Sequence, residues 1–449
     1  MEIIEKWQKL PGAAATVYVC LLLTVFLFYF DANGYGRIME AKAGAFFLLC
    51  GGYVLLMALW GAGSLLLGGG KGFSPLSLLR KTSWPQRLVL GYLALTWVSA
   101  LCSPFWPATV LGASRFEGAL PITLYGASFL LVSAYGRADK RLLGFLGVSV
   151  CGFSLICLLQ LYGYNPFGLY PAGYTYQDGG KAYLGAYLGT IGNVDLVAAF
   201  YSLCIPMLAY ALVRLRGKAR FLLLLPLGLS LWVLLWMDVS AGLAGVFGGC
   251  ALAVPGAGFI SPKKRRAAAL LLGGAVLLGI AALYAADVGT GMLHEAHCLL
   301  RGQADPGFGS GRLHIWGEVL ERIPKRLWLG AGPDTMLYGG LKPFQRYDSQ
   351  MGRTIVAQID AAHNEYLNIL YHQGIFALGA YLSLLILLAK RWIAQAPTSA
   401  GAAILGAGCL GYCIQAFFGI SMCTTALFFW TALALLAAPG CLSSPEGGT

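Results

Sequence analysis

The stretch Asn193-Val194-Asp195-Leu196-Val197-Ala198-Ala199-Phe200-Tyr201-Ser202-Leu203-Cys204-Ile205-Pro206-Met207-Leu208-Ala209-Tyr210-Ala211-Leu212-Val213 is followed at once by Arg214, Arg216, Lys218 and Arg220. After Asp195 it holds no charge until Arg214. About 20 such residues, coiled as a helix, cross a hydrocarbon core of about 30 Å. A cluster of cations directly after an apolar run marks the end that stays in the cytoplasm. This stretch therefore predicts a membrane-spanning helix, and with it an orientation.

Similar runs recur along all 449 residues. The chain is 58% hydrophobic and 11% charged, with a mean hydropathy of +0.70, where a soluble domain carries about 25% charged residues. This excludes a cytosolic enzyme, a nucleic-acid binder and a disordered chain, and predicts an all-α polytopic membrane protein. Twelve spans are expected, near 13–30, 44–68, 88–102, 119–135, 142–162, 193–213, 221–237, 241–260, 267–286, 367–389, 399–420 and 424–439. The first run is too long for a signal-peptide core and no small-residue cleavage site follows it, so it reads as a retained span.

The net charge of +12 is mostly topogenic. With the N-terminus inside, the cytoplasmic segments hold 19 of the 31 Lys and Arg residues, among them Lys263, Lys264, Arg265 and Arg266. Outside one long loop, 287–366, only four lie on the other face. Both termini are expected in the cytoplasm of a multi-pass cytoplasmic (inner) membrane protein. The predicted organisation is helices one to nine over 1–286, the extracytoplasmic loop over 287–366 and helices ten to twelve over 367–449. A second outer loop, 163–192, is rich in Gly and Tyr. Its tyrosines could stack on sugars, though an interfacial aromatic belt accounts for them more simply. Most of the twelve cysteines sit inside apolar runs as small hydrophobes. No spacing suggests a disulfide framework or a metal site, and neither a metal nor another cofactor is expected.

The spans carry almost no interior charge, unlike ion-coupled transporters. Ionisable and amide side chains gather at the expected outer helix ends instead: Arg115, Glu117, Asn193, Asp195, Asp238, His363 and Glu365. An enzyme acting there would use a lipid-linked substrate. The most informative segment is His363-Asn364-Glu365-Tyr366-Leu367-Asn368-Ile369-Leu370-Tyr371-His372-Gln373-Gly374, leading into span ten. Read as a helix, it puts Leu367, Leu370 and Gly374 on the face of His363. Gly374 would let a neighbouring helix approach beneath the imidazole. Histidine suits proton transfer near neutrality; the alternative is an interfacial boundary residue. His372, on the opposite face, reads as a packing residue.

His-Asn, nine residues, then Gly resembles the signature of the O-antigen ligase and polymerase superfamily, which also includes bacterial protein O-oligosaccharyltransferases. Three further stretches are similar to that family, in the same order. They are Ser114-Arg115-Phe116-Glu117-Gly118, Gly189-Thr190-Ile191-Gly192-Asn193-Val194-Asp195, and Gly311-Arg312-Leu313-His314-Ile315-Trp316 with Leu329-Gly330-Ala331-Gly332-Pro333 downstream. One departure stands out. Many members carry a Ser-Arg pair where this chain reads Ser240-Ala241, so a basic contact to the donor is missing there.

The resemblance implies a GT-C-like bundle and an O-antigen ligase-like glycosyltransferase. Such an enzyme moves a glycan from an undecaprenyl-diphosphate carrier to a hydroxyl of a glycan, lipid or protein acceptor at the outer face of the membrane. It implies a metal-independent, inverting transfer with His363 and Arg312 as catalytic residues. Asn364, Arg115, Glu117, Asn193, Asp195, Arg346 and Arg353 would contact substrate, and Arg115, Arg346 or Arg353 could replace the missing Arg. Ser310 is expected to cap a helix whose first turn carries Arg312, beside free backbone N–H groups suited to an anion. A snorkelling Arg on an interfacial helix is the alternative. A polymerase of the same superfamily, or a lipid-glycan flippase, are the competing functions.

Overall fold

The computed structural model describes residues 2–67, 82–170, 176–178, 181–183, 188–256, 261–286, 289, 291–348 and 353–439. Helices occupy each of the twelve expected apolar segments. They are α1 (Glu2–Leu21, continued by a π-helical turn at Leu22–Phe26), α2 (Ile38–Leu67), α3 (Trp84–Leu101), α5 (Ala119–Tyr135), α6 (Lys140–Leu161), α7 (Val194–Arg214), α8 (Leu224–Met237), α9 (Ser240–Ala253), α10 (Pro262–Ala285), α13 (Glu365–Gln395), α14 (Ala400–Gln415) and α15 (Cys423–Ala437). A short α4 (Ala108–Leu111) lies in the turn before α5. Among the described residues, seven segments are long and apolar enough to cross a membrane, and four more are shorter apolar helices. The chain is a multi-pass α-helical membrane protein.

The central helices are α7 and α14, which pack on each other, with α9 against both. Contact between them is close because small residues face each other. A Cβ on Gly245 would strike Ser202, and one on Gly249 would strike Gly411. Small residues let helix backbones approach where lipid supplies no hydrophobic drive for association. On the other side, α3 packs on α13 and α5 on α15. By contrast, the span Lys263–Ala285 buries none of its apolar window against the chain.

The long loop is structured. It carries α11 (Gly291–Leu300), α12 (Arg312–Arg322) and a hairpin of β3 (Phe344–Asp348) with β4 (Arg353–Ala357), in which Arg346 pairs with Ile355 and Asp348 with Arg353. In the segment between α6 and α7, β1 (Tyr176–Asp178) pairs with β2 (Lys181–Tyr183). A second, smaller core of Ile315, Val319, Ile323, Ala331, Met336, Ile359, Ala362 and Tyr371 joins α12 to the start of α13.

Two local expectations are corrected. Ser310 does not cap α12: the backbone turns left-handed through Gly309, Ser310 and Gly311, and Gly311 is the N-cap with no side-chain bond. Two flanking glycines make that turn accessible. The buried face of α12 is Ile315, Glu318 and Val319, continued by Ile323 in the turn that follows. Lastly, the segment from His363 to Gly374 is not one helix. His363 itself is left-handed (φ 47), Asn364 is the N-cap of α13, and Gly374 (φ 82, ψ 177) interrupts the helix.

Candidate functional site

The helix starts gather the chemistry. Asn193 caps α7, its Oδ1 accepting from the backbone N–H of Asp195 (2.9 Å) and Leu196 (3.2 Å). Asp195 in the first turn suits the positive end of the helix dipole. It reaches Arg312, the first residue of α12, whose Nη2 lies 3.4 Å from Asp195 Oδ2. The rest of that guanidinium is anchored by backbone: Nε donates to Phe418 O (3.0 Å) and Nη1 to Gly309 O (2.9 Å). Arg115 forms a two-pronged pair with Asp360, Nη2 to Oδ1 at 2.8 Å and Nε to Oδ2 at 3.0 Å. Arg115 and Arg312 keep 17% and 19% of their side-chain surface exposed, so an entering anion can reach both.

His363 sits under the influence of both cations. Burial, then the charges of Arg312 and Arg115, hold its pKa down at about 3, against an upward pull from Asp360. It is therefore neutral at physiological pH, and its buried Nδ1 has no hydrogen-bond partner among the described residues. A left-handed backbone at a non-glycine residue is a local strain of the kind found at functional sites. Neighbours fix it on both sides: Trp316 Nε1 donates to Ala362 O (2.9 Å), and Asn364 Oδ1 accepts from Leu367 N (3.0 Å). Asn364 thus serves as a helix cap, and the same holds for Asn193.

Glu117 accepts from Tyr125 Oη (2.7 Å), and desolvation pushes its carboxyl pKa well above the ordinary range. It shares a cavity of about 40 Å³ with Tyr92, Glu365, His372, Gln373 and Tyr381. At about 10–15 Å³ per water, that space admits a few water molecules. His372, read from the sequence as a packing residue, is buried in this layer and lines the same cavity.

Two residues that sequence reasoning passed over organise the rest. Asp360 is the partner of Arg115. Asp334, directly after Gly330-Ala331-Gly332-Pro333, is 2% exposed. Its carboxylate collects the backbone N–H of Ser114 (3.1 Å) and Arg115 (2.8 Å) and the hydroxyl of Ser114 (2.9 Å). It therefore sets the backbone from which Arg115 projects. The same strand is held from behind by the break at Gly374. Ala331 N donates to Tyr371 O and Gly332 N to His372 O (both 2.9 Å), and Ser99 Oγ joins on His372 O (2.8 Å). A Cβ at Gly374 would run into the Trp328 backbone. The close approach expected at this glycine exists, but a loop rather than a helix makes it.

The structure thus brings Arg115, Arg312, Asp195, His363, Glu117, Asn193 and Asn364 to one end of the bundle. Arg346 and Arg353 lie on the β3–β4 hairpin, with side chains outside the described residues. At the place of the missing family Arg, Asp238 is left-handed and Ser240 starts α9.

A family model described as O-Antigen ligase matches residues 225–382, a segment that includes Arg312 and His363. The match agrees with the O-antigen ligase and polymerase superfamily that the motifs resemble. It supports a membrane enzyme of the ligase or polymerase type acting in polysaccharide biosynthesis. A search of curated proteins finds no match.

Proposed function

We propose that the protein transfers a glycan from an undecaprenyl-diphosphate carrier to an acceptor hydroxyl at the outer face of the cytoplasmic membrane. The observation that carries this reading is one buried histidine at the same end of the bundle as two partly exposed guanidiniums, both of whose charges act on it. A planar, permanently charged fork suits phosphate oxygens. Arg312 and Arg115 take the diphosphate, and Arg115 fills the place of the missing family Arg. Both termini lie in the cytoplasm, and residues 287–366 lie outside with the reacting groups.

In the transfer, His363 accepts the proton of the acceptor hydroxyl as its oxygen forms a bond to the anomeric carbon. The bond from that carbon to the diphosphate oxygen breaks on the opposite face, inverting the centre. The diphosphate leaves with the electron pair, held by the two guanidiniums. The bound diphosphate also offsets the two cations that depress His363, so the imidazole becomes a stronger base when the donor is present. The arginines supply the positive charge, so transfer is expected to proceed without added divalent cations.

The test is glycan transfer by purified protein from a lipid-diphosphate donor, with chelator present. General acid–base assistance contributes about 10²–10⁴-fold, so His363→Ala should lower turnover by that range at unchanged expression. Arg312→Lys keeps charge but loses the fork and should also be severely impaired. Full activity in both variants would overturn the assignment. Product length separates one transfer from repeated addition.

A further inference from the structure

The end of α7 away from Asp195 opens into a second, far larger and partly open cavity of about 1400 Å³, lined by α1 with its π-helical turn, α6, α7, α14 and α15. At 21 residues, α7 is about 30 Å long, close to the thickness of the hydrocarbon core. The basic rim of this cavity therefore lies at the opposite end of α7 from Asp195. The inner wall is apolar, formed by Leu22, Leu146, Leu203, Met207, Leu405 and Phe428. The rim is basic, with Lys140, Arg141, Arg214, Arg216 and Arg220 against one acid, Asp139. That acid is engaged in capping α6, accepting from the N–H of Arg141 and Leu142 (both 2.9 Å). Arg214 closes one side by donating to Ala396 O (3.0 Å). Leu22 belongs to the π-helical turn that interrupts α1, a feature frequent at functional sites.

We propose that this cavity is a binding site for an anionic glycerophospholipid. The phosphate is held by Arg141, Arg216 and Arg220, and the acyl chains lie along Leu146, Leu203 and Leu405. The complementarity has two parts: an apolar space larger than the 300–1,000 Å³ or so of a small-molecule pocket, and a one-sided surplus of cations at headgroup depth. A soluble anion would use only the rim, and an uncharged lipid only the wall. With the orientation read from the loop charges, the lipid comes from the cytoplasmic leaflet. The binding itself, being a property of the cavity, is measured independently of orientation and of the transfer reaction.

The experiment is lipid retention by the full-length protein in nanodiscs of mixed phosphatidylglycerol and phosphatidylcholine. It is followed by detergent extraction and mass spectrometry of the lipid that stays bound. Wild type should retain phosphatidylglycerol over phosphatidylcholine by at least tenfold. Arg141→Ser/Arg216→Ser/Arg220→Ser should lose the preference, and Leu146→Trp should retain less of both lipids. Lys263→Ser/Lys264→Ser removes cationic charge from the same membrane face away from the cavity, and should behave as wild type. Stabilisation against heat by added phosphatidylglycerol should follow the same order, which keeps the test valid if a variant folds less well. Three results overturn the proposal: no preference in wild type, a full preference in the rim variant, or the same loss in the Lys263/Lys264 control. Displacement of the lipid by millimolar glycerol phosphate would also overturn it, reducing the site to an anion-binding rim.

Discussion

Replacing Gly374 by Ala strikes the joint on which the outer site is assembled. At φ 82 and ψ 177 the residue occupies backbone space that is essentially reserved for glycine, which costs a side-chain-bearing residue about 1–3 kcal/mol. The new methyl group would also meet the Trp328 carbonyl. Relief requires the 327–332 strand to move off α13. That strand is held by Ile375 N to Leu327 O (2.8 Å), Ala331 N to Tyr371 O and Gly332 N to His372 O. Each bond contributes about 0.5–1.5 kcal/mol, so the expected loss is about 2.5–7.5 kcal/mol in all. That is a large fraction of a typical stability of about 5–15 kcal/mol. The strand ends at Asp334, which seats Arg115, and a displacement of about 1 Å at a catalytic group can cost about 100-fold in rate. Thermal unfolding in detergent and glycan transfer should therefore both fall in Gly374→Ala. Gly379→Ala is the control, because Gly379 lies in the same helix and a methyl group there would meet no atom within 4 Å. It should be neutral or up to about 1 kcal/mol more stable. A Gly374→Ala protein with wild-type melting and turnover would refute the interlocking described above.

Asp334→Asn should lower turnover at least tenfold. Combined with Arg115→Lys it should cost less than the two single effects together, because both act on one unit; strict additivity would separate them. The depressed pKa of His363, about 3 against an ordinary value of 6.5, has a definite sign. Between these values the unfolded chain takes up a proton that the folded chain refuses, so stability falls as pH drops below 6.5. His363→Gln should remove that part of the acid loss in thermal melts. The pH profile of kcat/KM, which reports the free enzyme, should show no histidine inflection near 6.5. In a cysteine-free background, a Cys at Glu321 should react with an impermeant thiol reagent from outside and one at Arg216 should not; the reverse pattern would invert the orientation.

The helices are legible in the sequence because each span writes its length in apolar residues, but their ends are less so: α1 begins at Glu2 rather than near 13, and α9 ends at Ala253 rather than near 260. His363, Arg312 and Arg115 are recognisable through motif spacing. Asp334 and Asp360 escape notice because each looks like an ordinary loop acid until the chain is folded. A signal exists: an Arg partly buried at a membrane boundary calls for a carboxylate. The failures at Ser310 and along 363–374 share one cause. Helical spacing does not apply where left-handed residues redirect the backbone, and at His363 nothing in the residue type announces that turn. The role of Gly374 is half legible, since its spacing points to a close approach but not to the partner.

The ion pairs Arg312–Asp195 and Arg115–Asp360 mean that the outer site carries its own counter-ions when empty. A ligand must compete with fixed carboxylates for each guanidinium, so a singly charged headgroup gains little by exchange, whereas a diphosphate can engage both arginines at once. On the proposed function, the same carboxylates would reclaim the arginines after transfer and help expel the spent lipid diphosphate. Selectivity by valence and release of product would then come from one arrangement.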